Sequence, residues 1–176
     1  MIASKWSQCL KSLVIESSTA RRHAISKCLM LLTNLHEMQT FHLKDWRMED
    51  MDDDVRRLVM SWPKLVTLKL LPYNQTYISL STLGIIAENC PELRQMEIRL
   101  DTSNIPPFDP SCKSLCHNLE VLTVHPYTPL GSQIQVARHL DSIFPYLKSI
   151  EVQSNDETWS GIRDLVKLCQ DIRRAK

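Results

Sequence analysis

The 176-residue sequence has few of the residues from which several common kinds of site are built. It contains only three glycines, Gly84, Gly131 and Gly161, and they stand far apart, so it cannot form a glycine-rich phosphate-binding loop. Its formal net charge is +1, so no overall field draws it toward nucleic acid or an anionic membrane. No hydrophobic run approaches the roughly 18 residues of a membrane span, and no signal-peptide pattern follows Met1. We therefore expect an intracellular protein, cytoplasmic or nuclear.

What the sequence does contain is a repeated pattern, clearest in residues 61–70, SWPKLVTLKL. Its skeleton, P-x-L-x-x-L-x-L, places three apolar residues at Leu65, Leu68 and Leu70. Sets with the same spacing begin at positions 10, 38, 65, 93, 119 and 147, at intervals of 28, 27, 28, 26 and 28 residues. A period this regular, with apolar residues in every slot, indicates a repeat protein of about six units.

Each unit combines a helix with a short strand. Val55, Leu58, Val59 and Trp62 have the i, i+3, i+4, i+7 spacing of a helix stripe, and this stripe ends three residues before Leu65. A chain that repeats helix, turn and strand returns in one direction each time, so its strands are parallel. We predict a single α/β domain over 1–176, a solenoid with a curved parallel sheet on its concave face and helices on its convex face. Equivalent stripes are formed by Leu83, Ile86, Ala87 and Cys90, and by Val136, Ala137, Leu140, Ile143 and Phe144.

The two ends of the chain are expected to differ from the middle. Residues 1–8 are too few for the helix of a full first repeat, so the N-terminal repeat is incomplete, as in a piece of a longer protein. Ser18 and Thr19 can cap a helix that begins near Ala20. At the other end, a helix over 158–174 serves as the C-terminal cap. The core stripes expected for these two helices are Cys28, Leu31, Leu32 and Leu35, and Leu165, Leu168, Cys169 and Ile172.

The strand pattern, the Trp62-Pro63 and Cys90-Pro91 steps and the 26–28-residue unit resemble leucine-rich repeats of the ribonuclease-inhibitor-like type. SWPKLVTLKL, NCPELRQMEIRLD, IFPYLKSIEV and the closing helix with Trp159 are similar to the C-terminal repeats of fungal F-box proteins. That resemblance implies a target-recognition region of a ubiquitin ligase subunit. The F-box helices that dock on the Skp adaptor of a cullin ligase have no counterpart before Cys9, so Skp and cullin binding would need an F-box that these residues do not contain.

The candidate metal ligands fit structural roles better. Cys112, Cys116 and His117 form the best cluster, but no second Cys/His pair at zinc-finger spacing supports it. We expect Cys28, Cys90, Cys112, Cys116 and Cys169 to occupy helix slots in the core, where cysteine acts as a small hydrophobe. The acidic run Glu49, Asp50, Asp52, Asp53 and Asp54 stands where a helix should start, and carboxylates favour that position. We therefore predict no metal site and no cofactor.

Catalysis is the least favoured class of function. No Gly-x-Ser-x-Gly elbow or thiol-enzyme signature is present, so no catalytic residues are assigned. His42 and His125 both point out of the predicted sheet, but their strands lie three repeats apart, roughly 14–15 Å at about 4.8 Å per strand. They cannot share one metal or proton, and we interpret them as surface residues of a binding face.

The concave face is the candidate site for a protein partner. Side chains alternate along a strand, so the residues between and just beyond the apolar slots point away from the core. Trp46, Tyr73 and Tyr127 follow at the rim, where aromatic residues are typical interface anchors. The alternative is that each rim aromatic packs on its own loop. The predicted partner-binding residues are Thr40, His42, Lys44, Trp46, Thr67, Lys69, Leu71, Tyr73, Gln95, Glu97, Arg99, Thr123, His125, Tyr127 and Glu151.

Three classes of function remain open. The first is a target-recognition domain of an F-box-type ligase subunit, and the second is a leucine-rich-repeat scaffold or inhibitor unrelated to ubiquitination. The third is an enzyme, which turnover dependent on His42 or His125 would indicate. In the first two, the concave face binds a protein of mixed acidic and apolar character, because its own charges are mixed in sign.

Overall fold

The computed structural model describes residues 9–24, 26–73, 76–107, 117–126, 131–153 and 157–175. Within these ranges helices and short strands alternate along the chain. The strands are β1 (Ser12–Ala24), β2 (Thr40–Arg47), β3 (Thr67–Leu71), β4 (Ile78–Ser79), β5 (Gln95–Asp101), β6 (Val121–Pro126) and β7 (Ser149–Val152). The helices are α1 (Ser26–Leu32), α2 (Met51–Val59), α3 (Leu80–Asn89), α4 (Gln133–Ile143) and α5 (Thr158–Arg174). None of these helices is long and apolar enough to cross a membrane.

The strands form one open, parallel sheet in the order β1-β2-β3-β5-β6-β7, with the two-residue β4 beside the end of β5. Chain neighbours are therefore sheet neighbours, as the repeat pattern predicts. The register is also the expected one, because equivalent apolar slots lie side by side across the sheet. The middle slots form the row Leu13, Phe41, Leu68, Met96, Leu122 and Ile150.

The core lies between this sheet and the helices. The first apolar residue of the repeats from the second onward is at most 5% exposed, and it belongs to one cluster with the buried helix residues. Helix stripes predicted for α2, α3 and α4 are all buried. Consecutive helices also contact each other, from α1 to α5. The fold thus stacks strand on strand and helix on helix, and each repeat covers its neighbour. The buried first residues are Met38, Leu65, Leu93, Leu119 and Leu147.

Side chains at the turns before the strands join successive repeats. The indole Nε1 of Trp62 donates to the carbonyl of Leu32 at 3.1 Å, and the thiol of Cys90 donates to the carbonyl of Trp62 at 3.5 Å. His117 continues this series, since its Nε2 lies 2.8 Å from the carbonyl of Cys90. The carbonyls of Trp62 and Cys90 also accept from the backbone N–H groups of Leu65 and Leu93 in the same turns. A residue at this position therefore bonds its own repeat to the preceding one.

The prediction for the first helix is wrong. Strand β1 continues to Ala24, so no helix begins near Ala20, and α1 begins at Ser26. The later part of β1 pairs irregularly with β2, with Arg21 opposite Trp46, and this pairing keeps the backbone extended. Within α1, Leu29 is buried and Leu32 packs against the core, whereas Leu31 is 64% exposed and Cys28 is also exposed. Leu35, just beyond the helix, is buried as predicted.

A helix does occupy Thr158–Arg174, but its predicted core stripe is wrong at Leu168 and Ile172. Leu165 packs against the core and Cys169 is half-buried. Trp159, Ile162, Val166 and Gln170 are buried, whereas Leu168 is 54% and Ile172 52% exposed. The physical reason is that Trp159 buries a larger apolar area than any leucine of this helix. The side-chain amide of Gln170 then donates to the carbonyl of Leu147 at 2.9 Å. The helix is consequently rotated relative to the stripe that leucines alone suggest.

The cysteines divide into core and surface positions. Cys90 is fully buried, and burial raises the pKa of its thiol to about 12. Cys169 is half-buried and Cys28 is exposed, so the predicted core position of Cys28 is wrong. The predictions for Cys112 and Cys116 lie outside the described residues.

The acidic run has the structural role expected of it. Asp50 precedes α2 and its carboxylate accepts from the backbone N–H of Asp53 at 3.0 Å, which is an N-cap. Asp52 accepts from the backbone N–H of Ser79 at 2.9 Å and so ties this helix to the next repeat. Among the described residues, no group of three or more His, Cys, Asp or Glu could hold a metal ion.

Candidate partner-binding face

The open face is the side of the sheet opposite the helices. Its residues are the alternate positions of the strands, and even the apolar ones, such as Val14, Leu71 and Val121, lie outside the core cluster. The register arranges them in three rows that run across the strands. The first row is Thr40, Thr67, Gln95, Val121 and Ser149, the middle row is Val14, His42, Lys69, Glu97, Thr123 and Glu151, and the last row includes Lys44 beside Leu71 and Arg99 beside His125.

Glu97 is the centre of the only ion-pair cluster on this face among the described residues. One carboxylate oxygen lies 3.0 Å from Lys69 Nζ on β3, and the other lies 3.2 Å from His125 Nε2 on β6. Burial raises the pKa of Glu97, but hydrogen bonds from Lys69 and His125 outweigh it and lower the pKa below its usual value. Glu97 is therefore a charged carboxylate that bridges three strands and holds two neighbouring side chains in place.

His42 and His125 have different surroundings. The pKa of His42 is lowered by burial and by the nearby ammonium of Lys69, and its Nε2 is buried without a hydrogen-bond partner. His125 instead contacts Glu97. Strands β3 and β5 stand between the two histidines, so they do not form a shared metal or proton-transfer pair.

Two cations of the last row differ from Lys69 in having no ion-pair partner among the described residues. Lys44 is exposed and Arg99 is half-buried, and neither forms an ion pair within the part of the chain that the structure describes. Leu71 lies between them on β3, half-buried and outside the core. With strands about 4.8 Å apart, the two cationic strands are about 10 Å apart. The last row thus presents an apolar side chain flanked by two cations, with the exposed Glu16 of β1 opposite Lys44. Acidic and apolar groups of a partner would suit its Leu71 and Arg99 end.

Side chains at the β6–β7 end of the middle row are also joined by a hydrogen bond. The hydroxyl of Thr123 donates to the carboxylate of Glu151 at 3.3 Å. Thr123 is 8% exposed, whereas Glu151 is exposed. Thr40 and Thr67 are half-buried on the first row and Gln95 is exposed there, so these predicted residues also lie on the open face.

The rim aromatics do not form a row of equivalent anchors. Trp46 is half-buried and packs against the core, next to Asp45, whose φ of 60° marks an irregular step in β2. Tyr73 is 57% exposed, and its backbone N–H donates to the carbonyl of Trp46 at 2.9 Å. Tyr127 lies outside the described residues. Tyr73 is therefore the strongest anchor candidate among the described residues, and Trp46 has the alternative role of packing on its own repeat.

The exposed residues that β1 contributes to the face, Ser12, Val14 and Glu16, were missed from the sequence. Val14 is 52% exposed and begins the middle row on β1. The signal was available, since Val14 alternates with the apolar slots Leu13 and Ile15 in the first repeat. His117, by contrast, is excluded as a ligand, because its Nδ1 accepts from the N–H of Leu119 at 3.1 Å while its Nε2 contacts Cys90.

Comparisons with known proteins support the fold and leave the family open. No family model matches the chain, and no curated protein matches it. Among solved structures, the leiomodin-1 actin-binding site 2 has a TM-score of 0.50 and 12% sequence identity, covering 99% of this chain and 94% of that one. An internalin from Listeria monocytogenes has a TM-score of 0.36 and 16% identity, covering 77% of this chain and 41% of that one. The first likeness shows a shared fold.

Proposed function

We propose that this chain is a non-catalytic protein-binding domain and that the open face contacts the partner. The observation that carries the proposal is the arrangement of that face, where polar and charged residues of successive strands are aligned and no described helix covers them. The sheet is held by its own core, so little conformational entropy is lost there when a partner binds. The finer form of the proposal is a leucine-rich-repeat solenoid of about six repeats with this face concave and α5 as its C-terminal cap.

The charges of the face suggest what a partner should carry. Glu97 is already paired with Lys69 and in hydrogen-bond contact with His125, whereas Lys44 and Arg99 form no ion pair among the described residues. A protein segment with carboxylates near these two cations and an apolar side chain over Leu71 would complement the last row. Such charges raise the association rate and select the partner more than they add affinity.

The resemblance to fungal F-box proteins supports a more specific role. In that role the open face holds the target of a ubiquitin ligase, and an F-box elsewhere in the full-length protein binds the Skp adaptor. The second candidate is a scaffold or inhibitor that uses the same face without any ligase. It is favoured by the fold shared with leiomodin-1, whose matched region is an actin-binding site.

The test of the binding face is affinity capture with charge-reversal variants of the full-length protein. We expect K44E/R99E to lose partners that the wild type retains. The matched control is R56E/R174E, which reverses two exposed cations on α2 and α5 away from the open face. Retention of every partner by K44E/R99E, with the fold intact by circular dichroism, would show that the open face is not the binding surface.

The same capture separates the two candidate roles. Co-purification of Skp adaptor and cullin with the full-length protein supports the ligase role. Recovery of a stable partner without either of them supports the scaffold or inhibitor. Tyr73→Ala is a further probe of the rim, because this exposed side chain can be shortened without opening the core.

A further inference from the structure

Strand β7 ends the described sheet with one unpaired side. The backbone N–H groups of Ser149 and Gln153 donate to β6, to the carbonyls of Glu120 and Val124, each at 3.0 Å. Backbone direction alternates along a strand, so the N–H and C=O groups of Ile150 point to the opposite, unpaired side, as do those of Val152. Within the described residues, no other strand pairs with that side.

A cavity of about 140 Å³ lies behind this edge, between β7 and α5. Its apolar wall is formed by Leu147, Ile150 and Val166, which are 5%, 7% and 3% exposed. The space is open to solvent on one side, and at about 140 Å³ it has room for one branched aliphatic side chain. It is therefore both next to unpaired backbone groups and apolar at its base.

The rim of the cavity is cationic. Arg163 and Lys167 line it from α5, four residues apart and so on one side of the helix. Both are exposed, and neither forms an ion pair with another described residue. Lys148 lines the opposite wall and is paired with Glu120 at 2.9 Å. Two like charges at this helical spacing repel each other, and a carboxylate between them would relieve that repulsion.

We propose that the β7 edge binds an extended segment of a partner protein in which an aliphatic residue and an acidic residue stand two positions apart, so that both side chains lie on the helix side of the sheet. The segment pairs its backbone with Ile150 and Val152, places an aliphatic side chain in the cavity and directs carboxylates to Arg163 and Lys167. Strand addition of this kind takes affinity from the backbone and specificity from alternate side chains. This surface is separate from the open face, so it can be occupied whether or not the open face binds a target.

The charges disfavour a second copy of the chain at the same edge. A twofold pairing of two β7 strands would bring two sets of Arg163 and Lys167 together, and like charges at an interface are unfavourable. Cations at a sheet edge can also serve only to block pairing between chains. If the cations only prevented pairing between chains, the edge would bind no acidic strand. A binding experiment with an acidic peptide therefore separates the two roles.

The first arm of the test uses synthetic peptides and the 176-residue chain. The probe is a labelled, blocked octapeptide with threonine at every odd position and with valine and glutamate in turn at the even positions. Its binding is followed by fluorescence anisotropy at low ionic strength. The matched peptide has lysine in place of glutamate. We expect the acidic peptide to bind at least about tenfold more tightly, and more weakly as salt is raised. Equal binding of the two peptides would overturn the proposal.

Backbone pairing is tested by N-methylation of the acidic peptide at either its threonine amides or its valine and glutamate amides. A paired strand uses only one of these alternate sets against β7, so one methylated peptide should lose binding and the other should keep it. Binding by both methylated peptides would show that no strand is formed.

The second arm changes the protein. Lys167→Glu should weaken binding of the acidic peptide several-fold. Arg56→Glu on α2, a charge reversal away from the β7 edge, is the matched control and should leave binding unchanged. Val152→Pro removes an N–H from the unpaired side, a position where edge strands tolerate proline, and it should abolish binding, whereas Val152→Ala should not. Unchanged binding by Lys167→Glu and Val152→Pro, with the fold retained, would overturn the proposal. So would a concentration-dependent dimer, seen by sedimentation, that Val152→Pro dissociates.

Discussion

The middle of the sheet and its two ends follow the same repeat pattern with very different fidelity. In β3, β5 and β6 the apolar slots are buried, the outward residues line up and the preceding helix stripe agrees with its prediction where the structure describes that helix. At the ends, α1 begins six residues later than expected and α5 is rotated. A middle repeat packs against neighbours on both sides, which restricts the orientation of its helix. An end repeat has one neighbour, so its helix can adopt the orientation that buries its largest side chains.

The strongest way to test this contrast is to remove core side chains from the middle and from an end. Leu93 is fully buried, so Leu93→Ala should lower the free energy of unfolding by about 2–5 kcal/mol. Leu10 is half-buried in the first repeat, so Leu10→Ala should cost less than about 1–2 kcal/mol. Urea unfolding followed by circular dichroism measures both. Equal losses would mean that the first repeat is as well covered as the middle.

The rotation of the last helix can be tested within α5 itself. Ile162 is fully buried and Leu168 is 54% exposed. Ile162→Ala should therefore cost about 2–4 kcal/mol, while Leu168→Ala should stay within about 0.5 kcal/mol. The measurement is the same unfolding titration. If Leu168→Ala were the costlier change, the helix would instead use the leucine stripe that the sequence suggests.

The turn contacts between repeats should make stability depend on pH. Burial lowers the pKa of His117, although its contact with Cys90 opposes this, and protonation of Nδ1 would break its hydrogen bond from Leu119. The unfolded chain then binds more protons than the folded one, so this contribution is complete above the ordinary pKa of about 6.5 and is lost as pH falls below it. The free energy of unfolding should decrease from pH 7 to pH 5.

The control for that pH effect is His117→Gln, which keeps a polar side chain without a titrating ring. The decrease between pH 7 and pH 5 should be smaller in this variant than in the wild type. His42 titrates in the same direction, so some decrease should remain. An unchanged slope would assign the pH dependence to groups other than His117.

The smallest effect on stability is expected on the open face. Glu97→Gln removes the negative charge that contacts Lys69 and His125. Because Lys69 is 40% exposed, the free energy of unfolding should fall by at most about 1 kcal/mol. The matched variant is Glu151→Gln, whose carboxylate has only the hydroxyl of Thr123 as a described contact. If the face binds a partner, Glu97→Gln should change the affinity more than it changes the urea midpoint.

The candidate site was predictable in position and unpredictable in its contacts. The strand alternation places Lys69, Glu97 and His125 on one face from sequence alone. That Glu97 bridges the other two, while Arg99 has no partner among the described residues, depends on rotamers and on the register between strands. The exposed state of Tyr73 and the partial burial of Trp46 likewise follow from the irregular end of β2 at Asp45, for which the repeat pattern contains no signal.

By itself, the sequence determined the strand order, the register and the face on which each strand residue lies. Side chains alternate every two residues along a strand, and the repeat recurs every 26–28 residues along the chain. Together these two periods leave one arrangement of the strands that buries every apolar slot. Only the tertiary structure decided the start of α1, the rotation of α5, the ion pair at Glu97 and the cavity beside β7. The helix positions and the cavity depend on packing at the ends of the stack, where a single large residue such as Trp159 outweighs the repeated leucines. The ion pair depends on which side-chain conformations neighbouring strands allow.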